Sequence, residues 1–299
     1  MNFFNKTIVK LIPYVPKKVV RIFASKYIAG ETLSDAIQVT AKLNEKGILA
    51  TMDVLGEDIS TKEEAERNRD ECIEVIKAIN KFDLDSNLSL KLTQLGLKIN
   101  LDLCFQNLKS ILEKAKLFNQ FVRIDMEDSS CTDSTIQIFE RARDYYPNCG
   151  IVLQAYLNRT LEDATRLIEK KANFRLCKGI YVEPETIAIK DKQGINRNFL
   201  KILKTMLATG CYVGIATHDE ELVQGSYKLI EEFKLEKTSY EFQMLLGVRE
   251  NLRASIVKNG HRLRVYVPFG KHWYKYSLRR FKENPQIAGY IFKSILFRD

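Results

Sequence analysis

The sequence predicts an α/β protein folded as a (βα)8 barrel with a helical extension at its N-terminus. Three observations predict it. Eight short apolar runs rich in β-branched residues recur along the chain. Their starts lie 23 to 40 residues apart, so each gap has room for one helix. Every run also carries a polar residue within it or at its end. Strict alternation of strand and helix implies a parallel sheet. Eight such units in roughly 250 residues match the size of a closed barrel. An open doubly wound sheet is the competing arrangement.

Residues 1–46 are read as a helical lead-in and residues 47–299 as the barrel, with no linker dividing them. The first strand is GILATMDVLG (47–56), which carries Asp53. A helix follows over 60–79, opening on Ser60 with Glu63 three residues on, a capping-box spacing. NLSLKLTQLG (87–96) carries Lys91, FVRIDME (121–127) carries Asp125, and CGIVLQAYL (149–157) carries Gln154. NFRLCKGIY (173–181) supplies Arg175 and Lys178, and CYVGIATHD (211–219) supplies Thr217 and His218. YEFQMLLG (240–247) contributes Gln243, and LRVYVPFG (263–270) contributes Tyr266. The final helix contains KYSLRRFKEN (275–284). Helical spacing puts Tyr276, Arg279, Arg280 and Glu283 on one face, where a buried helix would carry apolar residues.

Composition narrows the function. Hydrophobic residues make up 45% of the 299, enough for a sizeable core. No apolar run approaches the ~18–20 residues that span a bilayer. The first thirty residues lack the apolar centre of a signal peptide. The expectation is an intracellular protein. The six cysteines come no closer than 18 residues apart and only three histidines are present, so a zinc or dithiol site has little material. The net charge of +9 is concentrated: residues 1–30 hold six Lys/Arg and residues 251–282 hold nine, with no acid in either. The remainder is net acidic, which argues against wholesale nucleic-acid binding. Neither G-x-G-x-x-G nor a Walker P-loop occurs, so neither nucleotide motif is available.

In a parallel barrel the site forms at the C-terminal strand ends. A buried polar group without a partner costs on the order of 2–7 kcal/mol. Polar residues on all eight runs therefore imply a shared polar cavity. Each has a plainer reading. Asp125 caps the next helix, Asp53 braces the barrel, Lys91 reaches out at the rim, His218 is a core histidine, Gln243 fills a layer, and Arg175 and Lys178 form surface ion pairs. Gly179 in RLCKGIY lets backbone N–H groups approach a ligand. Arg279 and Arg280 suit a carboxylate, which guanidinium grips with paired hydrogen bonds, and Glu283 is placed to orient them.

LSLKLTQLG, IDMED, VLQAYL, FRLCKGIYVE, GIATHDEELV, YEFQMLLGVRENL and RVYVPFGKHWYKYSLRRFKENP fall in order at seven of the eight strand ends. Together they resemble the proline dehydrogenase family in its short, single-activity bacterial form. The resemblance implies a (βα)8 flavoenzyme that oxidises L-proline to Δ1-pyrroline-5-carboxylate with FAD and passes electrons to a membrane quinone. By motif, Arg279 and Arg280 clamp the proline carboxylate with Lys91 nearby and Glu283 orienting them. Asp125 organises the charged cluster, and Arg175 sits near flavin N5. Met126, Gln154, Lys178, Gly179, Ile180, Thr217 and His218 contact FAD. Tyr266, Tyr276 and Leu245 pack around the pyrrolidine ring. KGIY stands where relatives often have KGAY, which puts a larger side chain, Ile180, beside the flavin. Tyr266 favours proline over hydroxyproline, the nearest rival substrate. A cofactor-free barrel that binds anions is the rival from another class. The resemblance also gives the basic, apolar stretch NKTIVKLIPYVPKKVVRIFASK (5–26) a use. It suits peripheral contact of a cytoplasmic enzyme with the inner face of an anionic membrane.

Overall fold

Each apolar run becomes one strand of a closed parallel barrel. The computed structural model describes residues 20–21, 24–56, 59–274 and 276–278. The strands are β1 (Leu49–Val54), β2 (Ser86–Leu90), β3 (Val122–Ile124), β4 (Cys149–Gln154), β5 (Asn173–Cys177), β6 (Val213–Ala216), β7 (Tyr240–Leu245) and β8 (Leu263–Phe269). They pair in sequence order, and β8 returns to β1 in a register running from Leu49↔Arg264 to Val54↔Phe269. That closure excludes the open doubly wound sheet.

Helix α1 (Leu33–Asn44) precedes β1. Between successive strands lie α2 (Lys62–Lys81), α3 (Leu101–Leu117), α4 (Thr132–Tyr145), α5 (Thr160–Glu169), α6 (Lys192–Ala208), α7 (Glu220–Glu232) and α8 (Glu250–Lys258). The capping box of α2 sits one residue later than the Ser60–Glu63 spacing indicates. Thr61 is the N-cap: its hydroxyl accepts from Glu64 N–H at 3.2 Å, and the Glu64 carboxylate accepts from Thr61 N–H at 3.1 Å. Ser60 N–H also donates to that carboxylate, at 2.8 Å, so Glu64 serves both residues and Ser60 stays outside the helix.

The core follows from the period of two along each strand. One set of side chains, among them Met52, Leu88, Leu90, Ile124, Phe174, Ile215, Phe242 and Val267, is buried in a cluster with the inner faces of the helices. The alternate set points into the barrel and is largely polar: Thr51, Asp53, Asn87, Ser89, Arg123, Arg175, Glu241 and Gln243 are all buried. Charges so placed need partners, because desolvation is costly. Arg264 donates to both oxygens of Glu241, at 2.6 and 3.1 Å. Gln243 Nε2 donates to the same carboxylate at 2.6 Å. Two inward glycines make room for this network. A Cβ on Gly150 would collide with the Arg123 guanidinium and the Asn173 carbonyl, and one on Gly214 would collide with the Gln243 amide.

The segment ahead of α1 closes against the last strand. Ala29 N–H donates to Pro268 O at 2.9 Å, and Gly270 N–H to Gly30 O at 3.0 Å. Ala24, Ile28, Leu55 and Tyr276 form a small buried cluster there.

Candidate active site

The C-terminal ends of the strands surround a cavity of about 570 Å3. Every described residue that the sequence singled out for catalysis, substrate or cofactor lines it. These are Lys91, Asp125 and Met126 from the β2 and β3 ends, and Gln154, Arg175, Lys178, Gly179 and Ile180 from β4 and β5. Thr217, His218, Leu245 and Tyr266 come from β6 to β8, and Tyr276 from beyond them. Arg279, Arg280 and Glu283 lie outside the described residues.

The cavity floor is a fixed cluster of charges. Asp125 does not cap a helix; Asp128 caps the short 3-10 turn that follows. Asp125 instead accepts from Ser89 Oγ at 2.6 Å, Arg175 Nη1 at 2.8 Å and Tyr266 Oη at 3.0 Å. Lys91 does not reach to the rim. Its ammonium is buried and donates to both Asp53 oxygens, at 3.1 and 3.2 Å, with Asp125 at 3.5 Å. Arg175 Nε donates to Gln243 Oε1 at 2.5 Å. Gln243 thus ties the floor to the Glu241–Arg264 pair beneath it and is more than a filler. Two cations face two carboxylates, so the cluster is internally balanced.

The two carboxylates are pushed in opposite directions. Burial, with the nearby Asp125 charge, pushes the Asp53 carboxyl up to about 6 against the pull of Lys91. Burial acts on Asp125 too, but Arg175, Lys91 and the Ser89 and Tyr266 hydroxyls outweigh it and hold its carboxyl below the ordinary value. Burial and the two carboxylates raise the Tyr266 phenol well above its usual range, so it stays a donor.

A pH dependence follows from Asp53. An unfolded aspartate titrates near ~4. Between there and pH 6 the folded protein holds a proton that the unfolded chain has released, so raising the pH lowers stability. That contribution is intact below ~4 and lost as pH rises through the folded value. Relative to Asp53→Asn, the wild type is expected to lose about 1–3 kcal/mol between pH 4 and 7. Urea midpoints of both proteins across that range check it; a constant difference would refute the assignment.

The opposite wall is arranged around backbone and lysines. Gly179 adopts φ +104°, and a Cβ there would run into the Tyr156 ring, so only glycine fits. Lys178 Nζ donates to Asp219 Oδ2 at 2.6 Å and Lys192 lies 3.3 Å from the same oxygen. Burial would raise the Asp219 carboxyl, but Lys178 overrides it and holds the group at about 2. Two cations therefore share one carboxylate at the N-terminus of α7. His218 Nε2 accepts the Leu245 N–H at 2.8 Å, which leaves the ring proton on Nδ1. Gln154 Nε2 donates to the Met126 and Glu127 carbonyls, both at 3.2 Å. Its buried Oε1 has no partner among the described residues.

Several contributors escaped the sequence reading. Asp53 was visible only as a polar strand residue, and Ser89 and Asp219 were passed over. Asp219 had a signal: it stands just before the helix that opens on Glu220, where a capping carboxylate belongs. Ser89 had only its inward place between Leu88 and Leu90; its partners, Asp125 and Arg175, come from other strands.

A sequence profile described as proline dehydrogenase matches residues 36–291. Proline dehydrogenase 1 of Bacillus subtilis (strain 168) is 37% identical over 292 residues, covering 98% of this chain and 96% of that protein. The proline dehydrogenase of Deinococcus radiodurans is 34% identical over 278 residues, covering 91% and 90%. Among solved structures, proline utilization A from Bdellovibrio bacteriovorus, inactivated by N-propargylglycine, is similar in fold. The TM-score is 0.85 over 93% of this chain at 24% identity, and the chain spans 36% of that longer protein.

Proposed function

The chain belongs to the proline dehydrogenase family, and from that premise we propose that it oxidises L-proline to Δ1-pyrroline-5-carboxylate with FAD held in the cavity and a membrane quinone as final acceptor. One observation carries the cofactor reading: the buried Gln154 Oε1 on the cavity wall, which has no partner among the described residues. A buried acceptor left alone is costly, and the ring N–H of a flavin is the donor it lacks. Bound there, FAD would supply the hydride acceptor that proline oxidation needs.

The residues of the chain do the holding and the orienting. Met126, Gln154, Lys178, Gly179, Ile180, Thr217 and His218 would hold the cofactor. The Lys178, Lys192 and Asp219 group leaves one positive charge for phosphate, and Gly179 opens backbone to it. Arg175, immobilised by Asp125, Ser89 and Gln243, keeps a fixed positive charge on the floor. Lys91 and Arg175 are already matched by Asp53 and Asp125. As the family resemblance implies, the proline carboxylate is assigned to Arg279 and Arg280, with Glu283 orienting them. Leu245, Tyr266 and Tyr276 keep water from the ring. The phenol of Tyr266 is pinned to Asp125, so its ring cannot swing aside for a hydroxylated substrate.

Among the described residues no helix is long and apolar enough to cross a membrane. Peripheral contact of a cytoplasmic enzyme through the basic stretch 5–26 is the proposed route to the quinone. One experiment covers these points. The purified protein should show oxidised-flavin absorbance that bleaches with proline under anaerobic conditions. Hydroxyproline should bleach it more slowly. Anionic vesicles loaded with quinone should then restore the colour at low salt. A colourless protein, or flavin indifferent to proline, would overturn the assignment. Faster bleaching by hydroxyproline would reassign the substrate, and failure with vesicles alone would remove the membrane step.

A further inference from the structure

We propose that the opposite end of the barrel holds a second binding site, for a small oxyanion of the phosphate or carboxylate type. The strand starts there enclose a cavity of about 380 Å3, and among the described residues Gln243 alone lines both this cavity and the upper one. Three arginines line the lower cavity, Arg123, Arg262 and Arg264, against two acids, Asp85 and Glu241.

These charges do not cancel in place. Glu241 is taken by Arg264, which grips both its oxygens. Arg123 is 2% exposed and its N–H groups meet only neutral oxygens: the Ile151 and Asn173 carbonyls and the Asn173 side chain. Its Nε has no partner among the described residues. The Phe121 ring lies 4.7 Å from the guanidinium and adds only a weak attraction. Burial, and then the like charge of Arg175, pull the Arg123 pKa down, and the Glu241 charge, already gripped by Arg264, only partly opposes them. Arg262 has a single long contact, to Thr238 O at 3.5 Å. Neither has a carboxylate partner among the described residues.

A buried cation of this kind is stable only with a counter-ion or strong solvation. A guanidinium has five donors in a planar fork, the geometry that suits planar or tetrahedral oxyanions. Halide would satisfy the charge but not the spread of donors on Arg123 and Arg262, which both line the cavity. The chemistry therefore selects a polyatomic anion, and the volume limits it to a small one.

The test is calorimetric titration of the flavin-loaded protein with inorganic phosphate and, separately, malonate. Ionic strength is held with sodium chloride. The upper cavity is also cationic, so wild type is compared with Arg262→Gln, which leaves the upper cavity intact. Binding of at least one anion is expected to weaken tenfold or more in Arg262→Gln and to be largely recovered in Arg262→Lys. The anion that shows this dependence identifies the head group. Proline-dependent bleaching, followed on the same samples, is expected to be unchanged in Arg262→Gln. Equal affinities in wild type and Arg262→Gln, or no binding above the chloride background, would overturn the site.

Discussion

Asp125→Ala is expected to abolish proline-dependent turnover and to destabilise the protein by about 3–5 kcal/mol, the range for breaking a buried ion pair from one side. The size comes from what the carboxylate holds. Ser89, Arg175 and Tyr266 all donate to it within 3.0 Å, and Lys91 lies at 3.5 Å. Without it, two buried cations face Asp53 alone. Arg175 loses its counter-ion and Tyr266 its anchor, so the floor is both charged and loose. Asp125→Asn separates these effects. It keeps the shape and one acceptor oxygen, so much of the orientation of Ser89 and Tyr266 remains, while the charge is gone. Denaturant midpoints and kcat/KM for both variants check the ranking. An Asp125→Ala protein with wild-type kcat/KM would remove Asp125 from the site.

Gly179→Ala is expected to lose bound flavin, by at least tenfold in affinity, while the barrel stays folded. Two independent penalties act at that position. The backbone sits at φ +104°, which costs an L-residue on the order of 1–3 kcal/mol. The new methyl would also meet the Tyr156 ring, a rigid neighbour that is itself 6% exposed and has little room to retreat. The loop after β5 must then move, and with it the backbone that faces the cavity. Combining Gly179→Ala with Tyr156→Leu removes the collision and leaves only the backbone strain, so part of the affinity should return. Flavin content after dialysis reports both. Full flavin retention in the single variant would place the cofactor elsewhere.

How far the sequence disclosed this site follows from what spacing encodes. Alternation along a strand tells which residues point inward, so the polar residues of all eight runs, and the cavity they share, were legible. Which charge meets which was not. Asp125 finds Arg175 from β5 and Tyr266 from β8 through the stagger of the closed barrel, and no one-dimensional period records that stagger. The same limit hid the lower arginines. Arg123 precedes Asp125 by only two residues, yet it lines the cavity at the other end of the barrel. Gly150 and Gly214 read as featureless until the side chains that occupy their space are known. The α2 cap falls one residue later than expected because Ser60–Glu63 and Thr61–Glu64 share the capping-box spacing, and the fold forms the second.

The contacts between residues 24–30 and the end of β8 bear on how the protein is made. β1 finds one neighbour early, in β2, but its other edge pairs with residues more than two hundred positions later. Until β8 leaves the ribosome, that edge presents unpaired backbone groups, and Ala29 lacks its acceptor on Pro268. Such a distant closure is slow, since loop entropy must be overcome before the contacts repay it. Tyr266 also arrives last, so the hydrogen bond that completes the cavity floor forms only with the final strand. The nascent chain therefore has no finished pocket until β8 is in place. Over that interval the exposed strand edge is the feature that holdase chaperones would shield.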